Sequence, residues 1–168
     1  APFGVVSLRQ GSEVIRPGAP DEQLEPIGTL AHIASLLKEQ PGLLSLQCAG
    51  AQRFRIDRQS RLKHGLWVAD VTLLADDATV PVPTDLTAVA QALQQVRAKL
   101  QLRPGGAQDY SDADAHYDDC AWVSNRWCEL LPLPAATRQR LMSLDNPLLR
   151  LELVADFLAK AGIGTSTP

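Results

Sequence analysis

The chain has 168 residues, 45% of them hydrophobic and 21% charged, with a formal net charge of −3. That length suits one domain or two closely packed subdomains, and the composition is too apolar for general disorder. The acidic balance disfavours a dedicated nucleic-acid binder but leaves room for a local basic stripe.

No apolar run is long enough to span a membrane, and APFGVVSLRQ at the N-terminus lacks the charged-then-apolar build of a signal peptide. Cys48, Cys120 and Cys128 are odd in number and lack metal-like spacing. They read as reduced thiols of a cytoplasmic protein. Cys120 and Cys128 are expected to share one helix, too far apart to bridge.

In chain order, FGVVSL (3–8) is short and β-branched and predicts a buried strand. The Pro- and Gly-rich stretch over 11–28 predicts an ordered loop or a mobile flap. TLAHIASLLKE (29–39) alternates at first, favouring a strand, while ASLLKE leaves a helical alternative open. QPG (40–42) predicts a turn. LLSLQCA (43–49) and QRFRIDR (52–58) flank Gly50, which predicts strand–turn–strand. LWVADVTLLA (66–75) predicts a strand with Trp67, Ala69, Val71 and Leu73 on one face. The first half therefore predicts an antiparallel meander, either a curved sheet or a partial barrel.

After the proline-containing linker DDATVPVPTD (76–85), the apolar period becomes helical. Thr84 is the expected N-cap of a helix from Asp85 to about Leu102. RPGG (103–106) should end it. A second helix is expected from Ala113 to Leu131. Pro134 suits the first turn of a third. Asp145 or Asn146 should cap a fourth, with Pro147 just inside it and Gly162 closing it. TSTP reads as a frayed tail.

Reactive motifs are missing. There is no G-x-x-x-x-G-K-[ST] loop, no G-x-S-x-G elbow, no H-E-x-x-H and no C-x-x-C. DYSDADAHYDDC (109–120) gathers five aspartates and His116. Carboxylates ahead of a helix cap its free N–H groups and complement its dipole, so capping outweighs metal binding there. His32 and His64 have no sequence-visible catalytic partner. No cofactor is expected.

RFRIDRQSRLKH (53–64) holds five cations: Arg53, Arg55, Arg58, Arg61 and Lys63. In a strand, Arg53, Arg55 and Asp57 point one way while Phe54 and Ile56 point the other. A solvated strand face explains this pattern, and a basic patch for RNA or an acidic partner is the functional alternative.

Three segments in order resemble the Lon protease N-terminal domain, also called the LON substrate-binding domain. They are FGVVSLRQGSEV with IGTLAHI, then GAQRFRID with LWVADVTLLAD, then ELLPLPAATRQRLMSLDNPLLRLELVADFL. The resemblance implies an α+β chain, with a β-rich PUA-like subdomain over 1–83 and a helical subdomain over 84–168. It is similar to stand-alone bacterial members that lack the ATPase and peptidase modules. The family's opening pattern, PLFPL…LFPG and then R-I-F-E-x-R-Y, has no counterpart here, since the chain begins at APFGVV. Either that segment was removed or left out of this sequence, or this member lacks it; in the second case an exposed sheet edge is expected.

The resemblance implies a non-enzymatic module whose partners are proteins or extended peptides. The alternative is an RNA-binding PUA-like module using Arg53, Arg55, Arg58, Arg61 and Lys63. No membrane partner is expected, and oligomeric state is not legible in the sequence.

Overall fold

A computed structural model describes residues 1–11, 22–40, 43–103 and 113–163. Most of the loop expected over 11–28, the end of the QPG turn, RPGG beyond Arg103, Asp109, Asp112 and the TSTP tail lie outside the described residues. The chain divides into two compact units, Ala1–Asp76 and Asp77–Pro168. The division falls before residue 83 because the intervening stretch is tied to the helical unit. Val82 N donates to Asp118 O at 2.8 Å, Cys120 N donates to Val80 O at 2.8 Å, and Pro81 bridges Asp119.

The first unit is a four-stranded antiparallel sheet in the order β1-β4-β5-β6, with a separate two-stranded ribbon, β2-β3. The strands are β1 (Phe3–Val5), β2 (Leu8–Gln10), β3 (Gln23–Leu24), β4 (Ile27–Gln40), β5 (Leu43–Arg61) and β6 (Trp67–Leu73). FGVVSL is thus not one strand. It breaks after Val5, and its two ends join different sheets.

Nor is Gly50 a turn. Strand β5 runs straight through it, and Gly50 pairs with Ala31 inside the ladder. A ladder of this length is stabilised by its cross-strand partners on β4, so the local turn signal of a single glycine loses. The ambiguous 29–39 stretch becomes strand for the same reason.

Within the four-stranded sheet the register slips at four places. Three lie between β4 and β5, at Thr29/Ala31, Ile33/Ser35 and Lys38/Gln40. One lies between β5 and β6, at Ile56/Arg58. Each extra residue turns the side chains beyond it to the other face of the sheet.

The second unit opens with a 3-10 turn at Thr84–Leu86 and continues as α1 (Thr87–Gln101), α2 (Cys120–Leu130), α3 (Ala135–Met142) and α4 (Pro147–Lys160). Thr84 lies inside the turn rather than capping α1, and no side chain caps that start. Helix α2 begins later than Ala113 because Asp119 stops the chain in an extended conformation and caps it. Its carboxylate accepts from Ala121 N and Trp122 N, both at 3.3 Å, and from Val80 N at 3.0 Å. Asn146 caps α4 by accepting from Leu149 N at 3.1 Å, with Pro147 in the first turn where its missing N–H costs nothing.

Leu93, Val123, Trp127, Leu141, Leu151 and Val154 form the centre of the helical core. Through this core passes Arg150, 1% exposed. It forks onto Asp77, with Nη1 to Oδ2 at 2.6 Å and Nη2 to Oδ1 at 3.1 Å. It also donates to Asn125 Oδ1, Leu141 O and Leu144 O. A buried guanidinium is tolerated only when it is paired and its donors are met, as they are here.

Candidate functional site

The two faces of the four-stranded sheet differ in chemistry. One face is built around Phe54, 2% exposed. Its ring fits because Gly4 and Gly28 leave it room. A Cβ on Gly28 would fall 2.6 Å from the ring's Cζ, and one on Gly4 would fall 2.9 Å away. On the same face, Trp67 Nε1 donates to Glu22 Oε2 at 2.8 Å and the Arg61 guanidinium lies 5.6 Å from the Trp67 ring centroid. Arg61 also pairs with Glu22 at 3.7 Å and donates to Gly65 O at 3.2 Å.

The opposite face carries an apolar band that runs into a row of cations. Register places Phe3 beside Ala31, Ile33 beside Cys48 and Leu36 beside Leu46, with Val5 and Leu44 on the same side. Ala31 is buried, but Ile33, Leu36, Leu44 and Leu46 are each about half exposed (50%, 52%, 59% and 48%). The slip at Thr29/Ala31 then turns Arg53 to this side, opposite Thr29. Arg55 follows, opposite Thr72, and the slip at Ile56/Arg58 brings in Arg58, opposite Asp70.

The structure thus groups Arg53, Arg55 and Arg58 and separates Arg61 from them. Lys63 sits in the turn before β6, outside both strands. Sequence alternation identified Arg53 and Arg55 as neighbours. It did not reveal that Leu36, Leu44 and Leu46 share their face, since only the slipped register joins them.

Within the row, Arg55 Nε donates to Asp57 Oδ1 at 3.3 Å, and Asp57 Oδ2 accepts from the Thr72 hydroxyl at 2.5 Å. The Thr72 hydrogen bond holds the Asp57 carboxyl below the usual carboxylate range, with Arg55 assisting. Two exposed carboxylates, Asp57 and Asp70, therefore partly offset three arginines.

Among the described residues, no group of three or more His, Cys, Asp or Glu side chains could hold a metal ion. Within the 109–120 cluster, Asp119 is the cap of α2 and Asp114, His116 and Asp118 are exposed. His32 and His64 are exposed. Cys48 is exposed and free, while burial pushes the Cys120 and Cys128 thiols up. A cavity of about 350 Å³ in the helical unit lies between α1 and the Tyr117–Asp118 segment, with Gln91 and Gln94 in its wall. No helix among the described residues is long and apolar enough to cross a membrane.

A family model described as the ATP-dependent protease La (LON) substrate-binding domain matches residues 1–160. A Lon N-terminal domain protein from Xanthomonas campestris is 24% identical with a TM-score of 0.63, covering 93% of this chain and 89% of that one. The N-terminal domain of the Mycobacterium avium complex Lon protease is 16% identical with a TM-score of 0.55, covering 83% of this chain and 73% of that one. These likenesses agree in fold, a mixed α/β chain with an antiparallel sheet followed by four helices. No curated protein matches.

Proposed function

Because this chain belongs to the ATP-dependent protease La (LON) substrate-binding domain family, we propose that it is a non-enzymatic module that holds unfolded or extended protein segments. The matched family is the substrate-binding domain rather than the protease domain. The observation that carries the reading is the sheet face with half-exposed Ile33, Leu36, Leu44 and Leu46. Contiguous exposed aliphatics on a regular sheet are costly in water and mark surfaces that meet other macromolecules. Ordering an extended segment costs entropy, so affinity for any one segment is moderate. The cytoplasm is the proposed setting, supported by three unbridged thiols in the chain.

The test is binding of a reduced, permanently unfolded protein, compared with its native form, by light scattering and anisotropy. Association with the unfolded form alone is expected. No association with either removes the reading.

The grouping of Arg53, Arg55 and Arg58 gives the RNA alternative its one support. Two observations weigh against it. The chain is acidic overall, and Trp67 lies on the other face beneath Arg61, while Phe3, on the same face as the row, stands two strands away on β1. A salt titration separates the readings, because phosphate contacts weaken steeply with salt and aliphatic contacts do not.

A further inference from the structure

Resting on that reading, we infer that the segment held on this face is a single extended peptide in which an aliphatic stretch adjoins an acidic one. Its aliphatic part lies on Ile33, Leu36, Leu44 and Leu46, and its carboxylates meet Arg55 and Arg58.

Charge complementarity is the first ground. The apolar band alone would accept any aliphatic stretch. The slipped register places Arg53, Arg55 and Arg58 in line with it on the same face of β5. The local cation row runs against the chain's net charge of −3. Beyond about 8 Å that net charge is largely screened at physiological salt, so the contacts decide. Arginine at such positions favours carboxylates through paired N–H donors.

Length is the second ground. Leu46 to Arg58 lies within one strand, interrupted only by bulges. A peptide of about a dozen residues spans it at ~3.3 Å per residue.

The same charges disfavour a second copy as the main occupant. A two-fold pairing of this face would set the row of Arg53, Arg55 and Arg58 either against itself or against the partner's aliphatic band. A narrow band suits one strand-width occupant, whose side chains of one parity contact the leucines.

The test uses the full chain and three fluorescent twelve-residue peptides sharing one aliphatic half. The second half is acidic, basic or serine-rich. The acidic peptide is expected to bind about tenfold tighter than the basic one at low salt. Leu36→Ser and Leu46→Ser together should weaken all three peptides at least fivefold. Arg55→Glu with Arg58→Glu should reverse the acidic-over-basic order and leave the serine peptide unchanged. All four positions are strand-surface sites, and circular dichroism confirms the fold. Leu44→Ser replaces the leucine pair if that variant aggregates.

Equal binding of acidic and basic peptides overturns the inference, as does an order that survives the arginine reversal. If unfolded protein binds while the leucine variants change nothing, the surface is wrong and the function reading stands. If unfolded protein does not bind at all, both fail. Single-stranded RNA binding more tightly than the acidic peptide, or a dimer abolished by Leu46→Ser, also overturns the inference.

Discussion

The Phe54 ring lies directly over Gly28, where a Cβ would come 2.6 Å from the ring's Cζ and equally close to Val5 O. Because Phe54 is 2% exposed, its ring cannot swing away into solvent. Gly28→Ala must push β1 off β4 or displace the ring, an overpacking cost of about 1–3 kcal/mol. The expected result is a lower urea midpoint for the sheet unit, with the helical unit unaffected. The indole N–H NMR signal of Trp67 follows the first, and those of Trp122 and Trp127 follow the second. Gly4→Ala, with its contact at 2.9 Å, should do the same more weakly.

Arg150 and Asp77 give the helical unit a different vulnerability. Asp77→Ala leaves a guanidinium that is 1% exposed without its carboxylate. Removing one partner of a buried pair costs about 3–5 kcal/mol. Arg150→Met removes the charge instead, but orphans the carbonyls of Leu141 and Leu144. In a double-mutant cycle by chemical denaturation, Asp77→Ala should cost clearly less in the Arg150→Met background than alone. Equal costs in both backgrounds would show that the pair is not coupled.

The three thiols should react in separate phases. Cys48 is exposed on the apolar band opposite Ile33. Cys120 is 0% exposed, and burial, with the neighbouring Asp119 charge, pushes its thiol up. Burial also raises Cys128, against a lowering pull from Arg150. Since the thiolate is the nucleophile, maleimide at neutral pH should label Cys48 alone until the protein unfolds. Mass spectrometry of peptides from a short exposure checks this. A bulky label there should also hinder peptide binding.

What was legible in the sequence depended on locality. The cap at Asn146 and the alternation of Trp67, Ala69, Val71 and Leu73 are local, and the structure keeps them. Strict alternation along β5 would put Leu46, Cys48, Gly50, Gln52 and Phe54 on one face. The slip between Gly50 and Arg53 instead puts Phe54 with Gly28 and moves Arg53 to the side of Leu46. A second slip sends Arg58 one way and Arg61 the other. Such slips are set by strands distant in sequence, so the candidate surface could not be read from residues 53–64 alone.

Asp57 links the local chemistry to binding. The Thr72 hydrogen bond, aided by Arg55, keeps its carboxyl below the ordinary range, so it is ionised at neutral pH and occupies Arg55. A depressed carboxylate pKa contributes stability that is present above the unfolded value. It is lost as pH falls through the folded value. Thr72→Val should therefore raise the Asp57 midpoint in an NMR titration of its carboxyl carbon and shrink that acid-side window. Asp57→Asn should release Arg55 from its neighbour without touching the leucines. The expected outcome at neutral pH is tighter binding of the acidic peptide by about twofold to fivefold, with the serine-rich peptide unchanged. An equal gain for both peptides would mean that Asp57 acts through the backbone bulge rather than through Arg55.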